Sequence, residues 1–246
     1  MFPGLLDAIG WSSNHCFDDG TNILLGDSSP IDAGPFYLSF VNYWLKRGLD
    51  TAVVFIAFRS SQARISEAYR RAFGQQLGPL TAQGRFSFVD TLKHASSAEG
   101  VVCDVQSSLS RGNYRYLIVV ESYSACLSLN WSLGDFIKFH ESIRGMKYEA
   151  CLWHWSRDME PDYPPNRSKY LKEDVTLGGT GWLHLMAHAH YFFCLRALQT
   201  GMSKEVHGEV VVGRGPWAFT ECPIKSFFPL TSLYNFGSDN AILLHK

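Results

Sequence analysis

The stretch NILLGDSSPIDAGPFYLSFVNYWLKRG, residues 22–48, runs from a short apolar strand through a turn rich in Gly, Pro and Asp into an amphipathic helix. That order is how a phosphate-binding loop is built, with helix N-terminal amides and a positive charge turned toward phosphate oxygens. A working loop reads G-x-x-x-x-G-K-[ST], its lysine reaching the outer phosphates and its hydroxyl holding magnesium. Here Gly34 is followed by Pro35 and Phe36, which can do neither job. Pro30 and Pro35 each remove a backbone donor, and Asp27 and Asp32 place carboxylates where phosphate oxygens would sit. The turn reads instead as a helix start. Asp32 or Gly34 can cap it, Pro35 fits the first helical position, and Phe36, Phe40, Val41, Trp44 and Leu45 form the buried stripe before Gly48 ends the helix.

Outward from this unit, the composition bounds the chain. With 246 residues and 46% hydrophobic content, it reads as a single domain over residues 1–246, large enough to bury about 70–75% of its unfolded surface. Lys and Arg total 22 against 23 Asp and Glu, a net charge of −1. No global basic field exists to hold nucleic acid or an anionic membrane, so any such contact must be local. The six cysteines are scattered without a C-x-x-C pair, and the start MFPGLLDAIGW lacks a basic leader region. The expectation is reduced thiols in cytoplasm or nucleus. Apolar runs such as TAVVFIAF fall far short of the ~20 residues of a membrane helix, so no membrane partner is expected.

After the first helix, TAVVFIAF (51–58) is a continuous β-rich run, followed by a helix from about Ser61 to Phe73 closed by Gly74. RFSFVD (85–90) is another strand, and the polar stretch 93–115 reads as a short helix within a loop. YLIVVES (116–122) is a buried strand ending in Glu121, and SLGDFIKFHESIRG is a helix with Leu133, Phe136, Ile137, His140 and Ile143 on one face. YEACLWHW continues the alternation, which indicates an α/β fold with a mostly parallel sheet and helices on both faces. HYFFCLRALQ, EVHGEVVVGRG and AILLHK then follow without helices between them and predict an antiparallel extension at one edge. The loop 156–170 contains three prolines and breaks any regular element.

A degenerate phosphate loop after the first strand, a later strand ending in an acid and a C-terminal β extension together resemble a RecA-like ATPase core. The segments ILLGDSSPIDAGPFYLSFVNYWLKRG, VVFIAFRSSQARISEAYRRAFG, YLIVVESYSACLSL and LRALQTGMSKEVHGEVVV resemble the Elongator complex protein 6 family over about residues 22–246. The most specific part is Thr200-Gly201 followed by Val206-His207-Gly208. The resemblance implies a RecA-like three-layer fold without ATPase motifs. It also implies a hetero-hexameric ring with the fourth and fifth Elongator subunits, tRNA binding, and cooperation with the catalytic subunits in modifying wobble uridines. It carries no catalytic residue, cofactor or metal.

Four places in the sequence invite a sharper chemical reading. Glu121 stands where a magnesium-coordinating carboxylate would stand, but no lysine or loop hydroxyl completes that site. In HLMAHAHYFF, His184 and His188 share a helix face and His190 follows. A metal-dependent hydrolase would need a general base where Leu185 stands and a third ligand, which the motif does not supply. VVESYSA offers Ser122 or Ser124 as a strand-end nucleophile without the flanking glycines of that turn. Arg59, Arg64, Arg70 and Arg71 cluster around the second helix, where Glu67 can pair with Arg70 or Arg71. For tRNA, the loop after CLWHWS is the candidate: Arg157 lies among acids, whereas Arg167, Lys169 and Lys172 surround Tyr170 with no acid among them.

Overall fold

Strand β1 (Thr21–Asp27) is buried along its whole length, because it lies inside the sheet with a parallel neighbour on each side: β5 (Ala150–Ser156) and β6 (Tyr191–Arg196). The computed structural model describes residues 19–27, 31–94, 98–129, 131–156, 177–198, 206–216, 230–236 and 241–244. Among these, the remaining strands are β2 (Thr51–Ala57), β3 (Phe86–Asp90), β4 (Arg115–Glu121), β7 (Gly208–Arg214), β8 (Leu230–Phe236) and β9 (Ala241–Leu244). They form one nine-stranded sheet in the order β3-β2-β4-β5-β1-β6-β7-β8-β9. From β3 to β6 every pairing is parallel; from β6 to β9 each is antiparallel. The expected edge extension is therefore present, but β6, expected within it, pairs parallel with β1 on one side and antiparallel with β7 on the other, and LTSLYNF supplies a further strand, β8.

Alternation along the strands sorts the core into two layers, as a period of two requires. Ile23, Leu25, Val53, Phe55, Leu117, Val119 and Leu152 face α1 (Gly34–Lys46), α2 (Gln62–Phe73) and the short α3 (Leu77–Ala82). Leu24, Val54, Ile56, Ile118, Val120, Trp153 and Trp155 face α4 (Ala98–Leu109), α5 (Leu133–Arg144) and α6 (Leu177–His188). The short helix expected within 93–115 is α4, its Val101 and Val105 fully buried. No helix among the described residues is long and apolar enough to cross a membrane.

Helix α1 differs from the expected single stripe. Ten of its residues are buried, Tyr37, Leu38 and Asn42 among them, because Tyr234 of β8 meets Phe36 edge-on and the Tyr69 hydroxyl of α2 donates to Asn42. Its N-cap is Ala33, with no side-chain cap, and proline opens the first turn. The C-terminal end is held by Arg85, which is buried and donates to the carbonyls of Leu45, Gly48 and Thr51. A guanidinium there complements the negative end of the helix dipole while tying α1, the α1–β2 turn and the start of β3 together. Two glycines set the approach of α6: a Cβ on Gly26 would meet the Trp182 ring at 2.8 Å, and one on Gly181 would meet Trp155 at 2.6 Å. Gly26 thus serves helix packing.

Arg85→Ala removes the guanidinium donor from the buried Leu45 and Thr51 carbonyls and from that of Gly48, which keeps the Thr51 hydroxyl, so a loss of about 2–4 kcal/mol is expected in urea unfolding. Arg85→Lys, a point charge without the fork, recovers only part of it.

Candidate functional site

In an open α/β sheet the ligand edge lies at the carboxyl ends of the parallel strands. Here that edge is formed by Asp27 of β1, Glu121 of β4 and Ser156 of β5, with Asp27 in register with Ser156. Helix α1 starts above it. The Asp27 carboxylate is buried, and its Oδ2 accepts from the Ala33 N–H at 2.8 Å and contacts His154 Nε2 at 3.1 Å. The Ser122 N–H donates to His154 Nδ1 at 3.1 Å, which makes Nδ1 the acceptor, so Nε2 carries the proton and donates to Asp27. Burial works against the ionised form of Asp27, but the His154 hydrogen bond, helped by the Ala33 amide, holds its carboxyl below the ordinary range.

Glu121 is equally committed. Its Oε2 accepts from the N–H groups of Phe58 and Arg59 at 3.1 and 3.0 Å, and its Oε1 accepts from the Ser60 hydroxyl at 2.9 Å. The residue that would coordinate magnesium in an ATPase instead fastens the turn between β2 and α2. Asp32 takes the Gly34 N–H at 2.8 Å. The amides that open α1 therefore donate to the chain's own carboxylates, in the position a phosphate would otherwise fill. The local field matches: burial, and then Glu121 and Asp32, push the Tyr37 phenol far above its ordinary range.

The serine reading fails on geometry. Ser122 is buried with a positive φ of 50°, a strained turn of the kind a nucleophile occupies. However, the His154 nitrogen that would face a serine hydroxyl accepts the Ser122 backbone N–H instead. The Ser124 hydroxyl accepts the Ser156 N–H. Neither hydroxyl has a base.

On the opposite face of the sheet, α5 and α6 bring His140, Glu141, His184 and His188 together, one ligand atom from each lying within 4.8 Å of all the others. His184 Nε2 contacts His140 Nδ1 at 3.0 Å, and His188 Nδ1 contacts the His184 carbonyl at 2.8 Å. Burial, reinforced by the neighbouring histidines, pushes the His140 imidazole down to about 2, and burial lowers His184 as well. His190 is not in this group. It is turned to β1, its Nδ1 accepting the Asn22 N–H at 3.0 Å. The sequence shows the i, i+4 pair and sets His140 on an apolar helix face, but joins neither His140 nor Glu141 to the pair, because both come from a helix 44 residues earlier in the chain. Two chemistry-bearing residues at i, i+1 on α5, facing a histidine pair on a second helix, are visible only once the helices are paired.

Glu67 accepts from Arg70 and from Arg71 at 2.8 and 2.7 Å, so two of the four arginines around α2 are paired on an exposed helix face. Arg157, Arg167, Lys169, Tyr170 and Lys172 lie outside the described residues, as does Thr200-Gly201. Cys103 and Cys151 are free thiols.

The Asp27 bonds give a pH signature. A depressed folded pKa contributes stability above the unfolded pKa and loses it as pH falls through the folded value. Asp27→Asn is expected to cost about 1–3 kcal/mol in urea unfolding at neutral pH. The gap should narrow as pH falls below the ordinary carboxylate range. Equal stability at neutral pH would show that the Asp27 bonds contribute nothing.

No family model and no curated protein matches the sequence. Solved structures do match in shape. A KaiC-like protein of the hyperthermophilic archaeon Pyrococcus horikoshii superposes with a TM-score of 0.64 at 11% identity, over 98% of this chain and 95% of that one. An uncharacterised protein of the same organism, solved in complex with an unknown peptide, superposes with a TM-score of 0.63 at 14% identity, over 99% and 97%. At such identity the likeness speaks for the fold alone: the chain has a RecA-like, KaiC-like α/β architecture.

Proposed function

We propose that this chain is a non-catalytic RecA-like subunit of the Elongator accessory ring, assembling with the fourth and fifth Elongator subunits and supporting tRNA wobble-uridine modification. The observation that carries the non-catalytic part is the closure of the strand-end edge. Asp27 and Asp32 take the amides that open α1, and Glu121 takes those of Phe58 and Arg59. Phosphoryl transfer needs positive charge and metal at that edge to neutralise the developing charge, and here the edge carries three carboxylates. The ring and the tRNA rest on the sequence resemblance. A nearly neutral chain that is 14% aromatic suits a large, partly apolar interface between subunits. In a ring, a small basic patch at Arg167, Lys169 and Lys172, with Tyr170 to stack on a base and Arg157 earlier in the same loop, is repeated, and effective concentration strengthens it.

Co-expressed with the fourth and fifth Elongator subunits, the chain is expected to co-purify as a stable ring, and deletion of its gene to reduce 5-carbonylmethyl-type wobble uridines in total tRNA. A chain that ignores both proteins in pull-down and size-exclusion, with unchanged tRNA nucleosides, contradicts the assignment. The purified chain is expected to turn over no ATP; turnover abolished by Glu121→Gln would contradict the non-catalytic reading. Within the ring, Arg167→Glu with Lys169→Glu is expected to weaken tRNA binding and flatten its salt dependence by about two phosphate contacts. An unchanged salt slope removes this loop from the tRNA site.

A further inference from the structure

The structure assigns a divalent transition-metal site, of the kind that takes Zn²⁺, to His140 and Glu141 of α5 with His184 and His188 of α6. It is independent of the Elongator reading and lies across the sheet from the strand-end carboxylates.

The donor set is the first argument. Three imidazoles and one carboxylate are a borderline-soft, four-ligand set that suits Zn²⁺ and its neighbours in the first transition row, and neither Ca²⁺ nor Mg²⁺. The spacing is the second. A tetrahedral ion with arms of about 2.1 Å separates its ligand atoms by roughly 3.4 Å. The His140–His184 nitrogens lie 3.0 Å apart. Glu141 Oε1 lies 3.5 Å from His140 Nδ1 and 3.9 Å from both His184 Nε2 and His188 Nε2. No two of the four ligand atoms lie more than 4.8 Å apart.

Orientation is the third argument. His188 Nδ1 donates to the His184 carbonyl at 2.8 Å, the outer hydrogen bond that metal-ligating histidines commonly make, and this leaves Nε2 as the ligating nitrogen on the cluster side. The proton now shared between His140 Nδ1 and His184 Nε2 moves to the far nitrogen of its own ring on metal binding, a tautomer change that releases no proton. Glu141 also accepts from Arg144 Nη1 at 3.1 Å, which orients the carboxylate and offsets part of its charge.

Four protein ligands from two helices make a closed, structural site rather than an open catalytic one. Its effect would be to pin α6 to α5. Through Trp182 against Gly26, α6 in turn covers β1.

The test uses the full-length, tag-free chain, stripped with chelator and titrated with Zn²⁺ by calorimetry. Thermal melts and the visible spectrum of the Co²⁺-loaded protein accompany the titration. Expected are one Zn²⁺ per chain, a higher melting temperature with Zn²⁺, and the intense visible bands of four-coordinate Co²⁺. Glu141→Gln, on a half-exposed side chain, should weaken binding by about tenfold or more, and His188→Ala should abolish both the stoichiometric site and the melting shift. Absence of saturable binding, only the weak bands of six-coordinate Co²⁺, or unchanged binding in the variants would overturn the assignment. The Co²⁺ spectrum of the unmutated chain decides the matter even where a variant folds poorly.

Discussion

The carboxylate of Asp27, received by the Ala33 amide on one side and by His154 on the other, is the constraint on which the strand-end edge depends. It lies at the exit of β1, the strand that both β5 and β6 flank. One ionised side chain there joins the start of α1 to the side chain of a neighbouring strand. His154 passes the connection on to Ser122, and Glu121, one residue earlier, passes it to the β2–α2 turn. Four consecutive links thus run across the edge where a RecA-like ATPase would hold phosphate, each a hydrogen bond to a backbone amide or from a ring N–H to a carboxylate.

The architecture around this edge is RecA-like in fold, and its parts serve packing and internal hydrogen bonding. Gly26, which in a phosphate loop would let backbone approach a ligand, lets the Trp182 ring of α6 approach β1. Proline at the start of α1 removes a donor the helix does not need in its first turn. The carboxylates that repel an anion satisfy the amides that would attract it, so the edge is hydrogen-bonded within itself rather than left with unpaired donors. Conversely, the two helices on the other face converge on a cluster of three histidines and a glutamate.

Much of the fold was legible in the sequence because its parallel strands are continuous apolar runs between helical segments. The segments at 51–58, 85–90 and 116–122 each became a strand within a residue of the reading, and Ser61 and Gly74 do cap α2. What escaped has physical reasons. On α1, Asn42 lies off the apolar stripe and is buried against the Tyr69 hydroxyl of α2, a contact that no local pattern encodes. The lack of a phosphate-binding lysine could be read from Gly34-Pro35-Phe36, whereas the partners of Asp27 and Glu121 could not, since they come from residues as far apart as 127 positions. His184 and His188 stood out by their spacing; His140 and Glu141 joined them only through the pairing of two helices.

Residue-resolved amide hydrogen exchange of the full chain, with and without Mg²⁺ and ATP, bears most directly on the closed strand-end edge. The account predicts that the amides of Ala33, Phe58 and Arg59 are protected without nucleotide, lose protection in Asp27→Asn (Ala33) and Glu121→Gln (Phe58 and Arg59), and are unchanged by ATP. Amides that exchange freely in the unliganded chain and become protected when Mg²⁺ and ATP are added would show an edge open to phosphate and would contradict it.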